Sequence, residues 1–304
     1  MFKFRQPNKS LITWKRARGI FNHPRPPESV WERQFDDSSY QLERLARTRY
    51  DQIDFGDLRY YYLDLAYVEL QQDLFNYLFP VCLMHWHASL MQNQECSHSD
   101  SEFHQGVLRG NILEKMVTPQ QRDAISEFIR DSFLERLDAE RGFAYEGEKT
   151  PAYGWISRFN SVGLIMPGID LLWEPWWTLD TPGRAVAALQ YCSGLMYLEG
   201  ENPLFGRWTP GQGGGGPCLW ENDSLIPDVG WKPENLDFLS KTLTAEFVED
   251  RVVKAVARLE GEPEWQKARR LENDLPESRE LVSLRVAKLP TLLAKPPGLD
   301  GWNV

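Results

Sequence analysis

The chain has 304 residues and a formal net charge of -10, an acidic field that repels phosphate and speaks against general nucleic-acid binding. Hydrophobic residues make up 42%, enough for a real core, so neither disorder nor a membrane span is required. The four cysteines, Cys82, Cys96, Cys192 and Cys218, are too scattered for a disulfide framework, and a reducing cytoplasm is the expected setting.

Residues 1–28 read as a basic flexible arm. Lys3, Arg5, Lys9, Lys15, Arg16 and Arg18 precede the first acid, Glu28, with little persistent periodicity. No long apolar run follows them, so no secretory signal peptide is expected. From Ser29 to Tyr50 the pattern turns helix-like, with Trp31, Phe35, Leu42 and Leu45 at helical spacings among charges.

Phe55–Gln92 is the stretch around which a core is expected to form, because it concentrates tyrosine, phenylalanine and leucine without a glycine-rich interruption. Tyr61, Leu65 and Val68 share a helical stripe. Asp73 is placed to cap a second segment with the face Tyr77, Leu78 and Val81. Pro80 predicts an interruption and a new helix, since proline is tolerated in a first turn where its missing N–H has no partner to lose. That helix carries His85 and His87, which at a two-residue spacing point about 200° apart. The run also lacks acids and bases from Leu74 to Gln94, but Pro80, the two histidines and the amide-rich end make it a poor membrane helix. The polar interval Asn93–Gly106 reads as a loop.

Thr118-Pro119-Gln120-Gln121 is the clearest helix start, with a side-chain cap, proline at the first position and a glutamine three residues on to close a capping box. Ile125, Phe128, Ile129, Phe133 and Leu137 supply the apolar face, with Gly142 as the stop. Thr181-Pro182 opens another helix, with Val186, Leu189, Cys192, Leu195 and Met196 on one side and Gly200 closing it. Residues 201–233, with Gly213 to Gly216 and five prolines, predict a long irregular Gly/Pro-rich loop. Thr244 caps a further helix ending at Gly261, and the charged remainder predicts one or two helices broken at Pro276 before a peripheral tail from Pro290. The expected organisation is a mainly α, irregular multi-helix domain: an arm over 1–28, a helical core over 29–200, the loop over 201–233, and a C-terminal helical extension over 234–304 packed on the core.

Two groups of residues could carry chemistry. Cys82, His85, His87, Cys96, His98 and His104 are ligand-capable types, and His85, His87, Cys96, His98 and His104 are the candidate zinc ligands if the chain folds back at the polar turn. Their spacing matches no paired short-knuckle motif, and neither His-Glu-x-x-His nor Cys-x-x-Cys occurs, so a core or surface role is the plainer expectation. In the tryptophan-rich 155–180 segment, Trp173, Glu174, Trp176 and Trp177, with Asp170, mix aromatic faces with carboxylates as a carbohydrate site does, or form a seam between helices. The Gly-rich run lacks the Lys-Ser or Lys-Thr ending of a phosphate loop, and no Gly-x-Ser-x-Gly elbow exists. The function expected is therefore a soluble protein-binding or regulatory module with a protein partner and no cofactor. A zinc-assisted hydrolase built on 82–104 and a carbohydrate site at 155–180 stand as alternatives.

Overall fold

In the computed structural model, residues 10–35, 39–92, 98–143, 168–197, 201–204 and 233–294 are described. Their helices run in the order α1 (Trp14–Ile20), α2 (Ser39–Arg47), a 3-10 turn (Tyr50–Gln52), α3 (Phe55–Tyr67), α4 (Gln72–Gln92), α5 (His98–Arg109), α6 (Ile112–Lys115), α7 (Pro119–Asp138), α8 (Asp170–Trp176), α9 (Pro182–Met196), α10 (Pro233–Thr242), α11 (Ala245–Arg258) and α12 (Trp265–Ala294). No strand occurs among the described residues, and the chain is mainly helical, as its capped apolar stripes predict.

Helix α4 is the centre of the first half. Leu74, Phe75, Leu78, Phe79, Val81, Cys82, Leu83, Trp86 and Leu90 are all buried, and α1, α2, α5 and α7 pack against it. A helix that is apolar on every side belongs inside a core. That burial explains why Pro80 does not interrupt it, contrary to the sequence expectation: α4 runs unbroken through the proline. One lost backbone hydrogen bond and a ring clash cost about 3 kcal/mol, less than the burial of the two turns on either side.

Helix α9 plays the same part in the second half, with every residue from Ala185 to Met196 buried and α7, α11 and α12 packed on it. Helix α7 touches both centres, and its contact with the start of α9 is close enough that a Cβ on Gly183 would collide with the backbone carbonyls of Leu137 and Asp138. Asp138 then accepts from Thr181 at 2.6 Å and from Arg184 at 2.7 Å, tying the two helix ends together.

The helix starts at Thr118, Thr181 and Thr244 are present, each threonine hydroxyl accepting from a first-turn amide, and Thr118 with Gln121 completes its capping box. The helices stop earlier than the glycines suggest, at Asp138, Met196 and Arg258. Gly142 and Gly261 instead take positive φ in the turns that follow. Gly200 and the glycines from Gly213 to Gly216 lie outside the described residues.

Four further expectations are corrected. The basic stretch holds α1, capped by Thr13, with Ile12, Ala17 and Phe21 in the core. Residues 29–35 are not helical, because their backbone is engaged by side chains of α3 and the α3–α4 turn, and the helix begins only at Ser39. The interval read as a loop over 93–106 contains most of α5, whose buried stripe of Phe103, His104 and Val107 is narrow enough to be hidden by polar neighbours. Pro276 does not break α12, which is continuous from Trp265.

Candidate functional site: a buried acid pair beneath an aromatic strap

Residues 29–35 form an extended strap across α3 and the start of α4, and its side chains alternate as an extended chain requires. The polarity of that alternation is inverted. Glu32 and Gln34 point inward and are each only 3% exposed, whereas Trp31 and Phe35 point outward, both 56% exposed. A strap held by the hydrophobic effect alone would place these residues the other way round.

Three side chains hold it. Gln71 donates through Nε2 to the Ser29 carbonyl at 2.7 Å, and its Oε1 accepts from the Trp31 amide at 2.8 Å. Glu32 returns the contact, its Oε2 accepting from the Gln71 amide at 2.6 Å. At the far end Oδ1 of Asp64, a buried residue of α3, accepts from the Phe35 amide at 2.9 Å. Asp73 accepts from Nε2 of Gln71 at 2.8 Å and so orients the amide that serves the strap.

The two carboxyl groups feel one another in a low-dielectric interior. Burial pushes Glu32 up to about 8, partly offset by the Gln71 amide and reinforced by the charge of Asp64. Burial also drives the Tyr61 hydroxyl well above its ordinary value, with Glu32, Cys82 and Asp64 adding to it. Several buried polar atoms here have no hydrogen-bond partner: Oε1 of Glu32, both side-chain heteroatoms of Gln34, and the Tyr61 hydroxyl. Such groups are rare in a folded interior and mark a place where packing has been set by something besides stability. Near neutral pH Glu32 is therefore mostly the neutral acid.

On the outer side Phe35 packs on Tyr67 of α3, ring centroids 4.8 Å apart, and the Arg109 guanidinium lies over the Tyr67 ring at 6.0 Å and bonds its hydroxyl. Tyr67 is itself 48% exposed. Trp31 and Arg33 point to the same outer side of the strap as the packed pair Phe35 and Tyr67, which Arg109 flanks. Glu32, Asp64 and Gln71 carry no motif and were not legible as a site. The readable signal was the period-two alternation of 31–35, with aromatics and polar groups on opposite sides.

The ligand-type residues of 82–104 are dispersed among separate contacts. His85 Nδ1 lies 2.6 Å from the Tyr62 hydroxyl, and His104 Nε2 accepts from the Trp86 indole at 3.0 Å. His87 faces the edge of Phe128, its Nδ1 without a partner. Burial lowers both His85 and His87 to about 4, so they are neutral at pH 7. Cys82 is buried on α4, Cys96 lies outside the described residues, and His98 begins α5. Among the described residues no three His, Cys, Asp or Glu side chains are placed to hold a metal ion.

Trp173, Trp176 and Trp177 pack on one another and on Tyr191, with Trp176 and Trp177 stacked at 4.7 Å and Trp177 edge-on to Phe247 at 5.0 Å. All three indoles are buried, Glu174 is exposed and Asp170 is half-buried. The ring faces meet other rings of α8, α9 and α11. A separate surface groove of about 440 Å³ between α11 and α12 is lined by Glu249, Asp250, Val253, Leu275, Pro276 and Arg279, with Arg279 paired to Glu249 at 3.2 Å.

No helix among the described residues is long and apolar enough to cross a membrane. Comparison with protein-family models, with curated proteins and with solved structures finds no significant match.

Proposed function

We propose that this protein is a binding module whose contact face is Trp31, Phe35 and Tyr67, presented by a strap fastened from below. The observation that carries the reading is the inverted alternation of 31–35. Large aromatics are sent into solvent while a glutamic acid and a glutamine take the interior, an arrangement that burial energy alone opposes. Aromatic residues and arginine are the types enriched where binding energy concentrates. The partner is a protein segment that lays apolar side chains on the three rings and offers carboxylates to Arg33 and Arg109. The buried free thiols of Cys82 and Cys192 support a reducing, cytoplasmic setting.

Binding is favoured over zinc-assisted hydrolysis because His85, His87 and His104 are each engaged in or packed against different parts of the core. It is favoured over a sugar platform at 173–177 because those indoles stack on one another. The test places the photo-crosslinker p-benzoylphenylalanine at position 31, at 35, and at the exposed control Val253 in cells producing the protein. The same partner crosslinks from 31 and 35 and not from 253. That partner, purified, binds the Trp31→Ala protein at least about tenfold more weakly. Equal crosslinking from all three positions, or unchanged affinity after Trp31→Ala, removes the strap face from the function.

A further inference from the structure

We propose that residues 29–35 are a proton-held strap, closed while Glu32 is the neutral acid and Asp64 holds the Phe35 amide, and released from α3 and α4 when Glu32 ionises. The proposal concerns the strap itself and holds whether or not the face it carries binds a partner.

The geometry supplies a latch with one titratable bolt. Glu32 sits in the middle of the strap, buried, with one oxygen on the Gln71 amide and the other without any partner. Among the described residues, the groups that act on it are acids or neutral. From α3 come Asp64 and Tyr61, with Cys82 of α4 behind Tyr61, and at the first turn of α4 Asp73 is bonded to Gln71. The basic groups nearby are directed elsewhere: Arg33 is exposed on the strap, and Arg109 lies over Tyr67 on the outer side. Among the described residues no cation is placed to neutralise Glu32, so ionisation sets a buried negative charge against that of Asp64, and the least costly relief is to move Glu32 into water. The backbone permits this. The strap is secured to α3 and α4 through side chains of Gln71, Glu32 and Asp64, and it carries no intrastrap helical bonds that would have to break as well. An outward swing of Glu32 carries the neighbouring Trp31 with it, so the aromatic face and the acid move as one unit.

Linkage fixes the size of the effect. Glu32 is about 8 when closed against an ordinary value of 4.5, so the open fraction climbs with pH across that interval and levels off above it. The peptide bond after Arg33 reports on opening, because trypsin needs an extended, released segment around the exposed arginine. The full chain is treated with trypsin from pH 6.5 to 9, and cleavage after Arg33 is normalised to a free peptide of the strap sequence and to cleavage after Arg130 in α7. Normalised cleavage rises about fifteenfold between pH 6.5 and 8 and levels off near thirtyfold by pH 9. Glu32→Gln, which keeps the acceptor for the Gln71 amide and cannot ionise, removes the rise. Asp64→Asn keeps the acceptor for Phe35 but withdraws the neighbouring charge, and it moves the plateau to lower pH. A flat wild-type profile, a rise that persists in Glu32→Gln, or cleavage after Arg130 that climbs in parallel overturns the proposal. So does a profile that Mg²⁺ or Ca²⁺ shifts in Glu32→Gln as in wild type, since the acid pair would then not be the control.

Discussion

The Trp86 indole N–H donates to Nε2 of His104 at 3.0 Å, and solvent reaches neither side chain. This bond joins α4 to α5, with Phe103 edge-on to His104 at 5.8 Å. Replacing His104 by phenylalanine preserves the bulk and strands the indole N–H. A buried donor left unmade costs about 1–3 kcal/mol. Urea unfolding of His104→Phe shows that loss, and His104→Gln, which restores an acceptor, recovers part of it.

The two histidines of α4 leave the helix on different sides, one to Tyr62 of α3 and one to Phe128 of α7, and their replacement has unequal effects. His85→Ala removes a partner of a buried tyrosine hydroxyl as well as a packed ring, and costs about 2–4 kcal/mol. His87 is half-buried, its ring makes only an edge contact, and its Nδ1 has no bond to lose. His87→Ala costs about 1 kcal/mol or less. Equal losses in urea unfolding contradict the divergence of the two side chains.

Gly106 sets the distance between α3 and α5. A Cβ there would stand 2.6 Å from the Tyr62 carbonyl and 3.2 Å from Cβ of Leu65. Since the obstacle is backbone, it cannot rotate away. Gly106→Ala forces the helices apart and lowers stability by about 1–3 kcal/mol despite the better helix propensity of alanine. The same change at Gly142, where φ is positive and space is open, is a strain effect without the collision, so only Gly106→Ala weakens protection of α3 and α5 amides in hydrogen exchange.

What the sequence discloses and what it conceals divides along a physical line. Thr118, Thr181 and Thr244 announce helices because capping is a local event between a hydroxyl and an amide three residues on. Pro80 and Pro276 mislead because their cost is also local but is overridden elsewhere, in α4 by burial on all sides. Helix α5 is hidden for the opposite reason: its buried stripe is brief, and its identity depends on α3 being close enough to touch Gly106. The acid pair was beyond sequence reach altogether, since Glu32 and Asp64 are ordinary residues until folding brings the strap onto α3 and denies both of them water.

That enclosure gives the protein a pH dependence with two limbs of opposite sign. Glu32 is raised from 4.5 to about 8, so the folded state holds a proton that the unfolded chain releases, and stability is lost as pH rises through that window. His85 and His87 are lowered from 6.5 to about 4, so the unfolded chain takes up protons that the folded state refuses, and stability is lost as pH falls from about 6.5 toward 4. Between pH 4.5 and 6.5 two histidines oppose one glutamate and the net slope is upward; above 6.5 the histidine contribution fades and Glu32 turns it down. These three groups together therefore place the maximum near pH 6.5, with a decline of roughly 1–2 kcal/mol by pH 8. Glu32→Gln cancels the alkaline limb and leaves the acid one, so that variant is more stable than wild type at pH 8 and has its relative advantage erased by pH 5. Urea midpoints of both proteins at half-unit steps from pH 5 to 9 check this, and parallel curves would show that Glu32 ionises alike in the folded and unfolded chain.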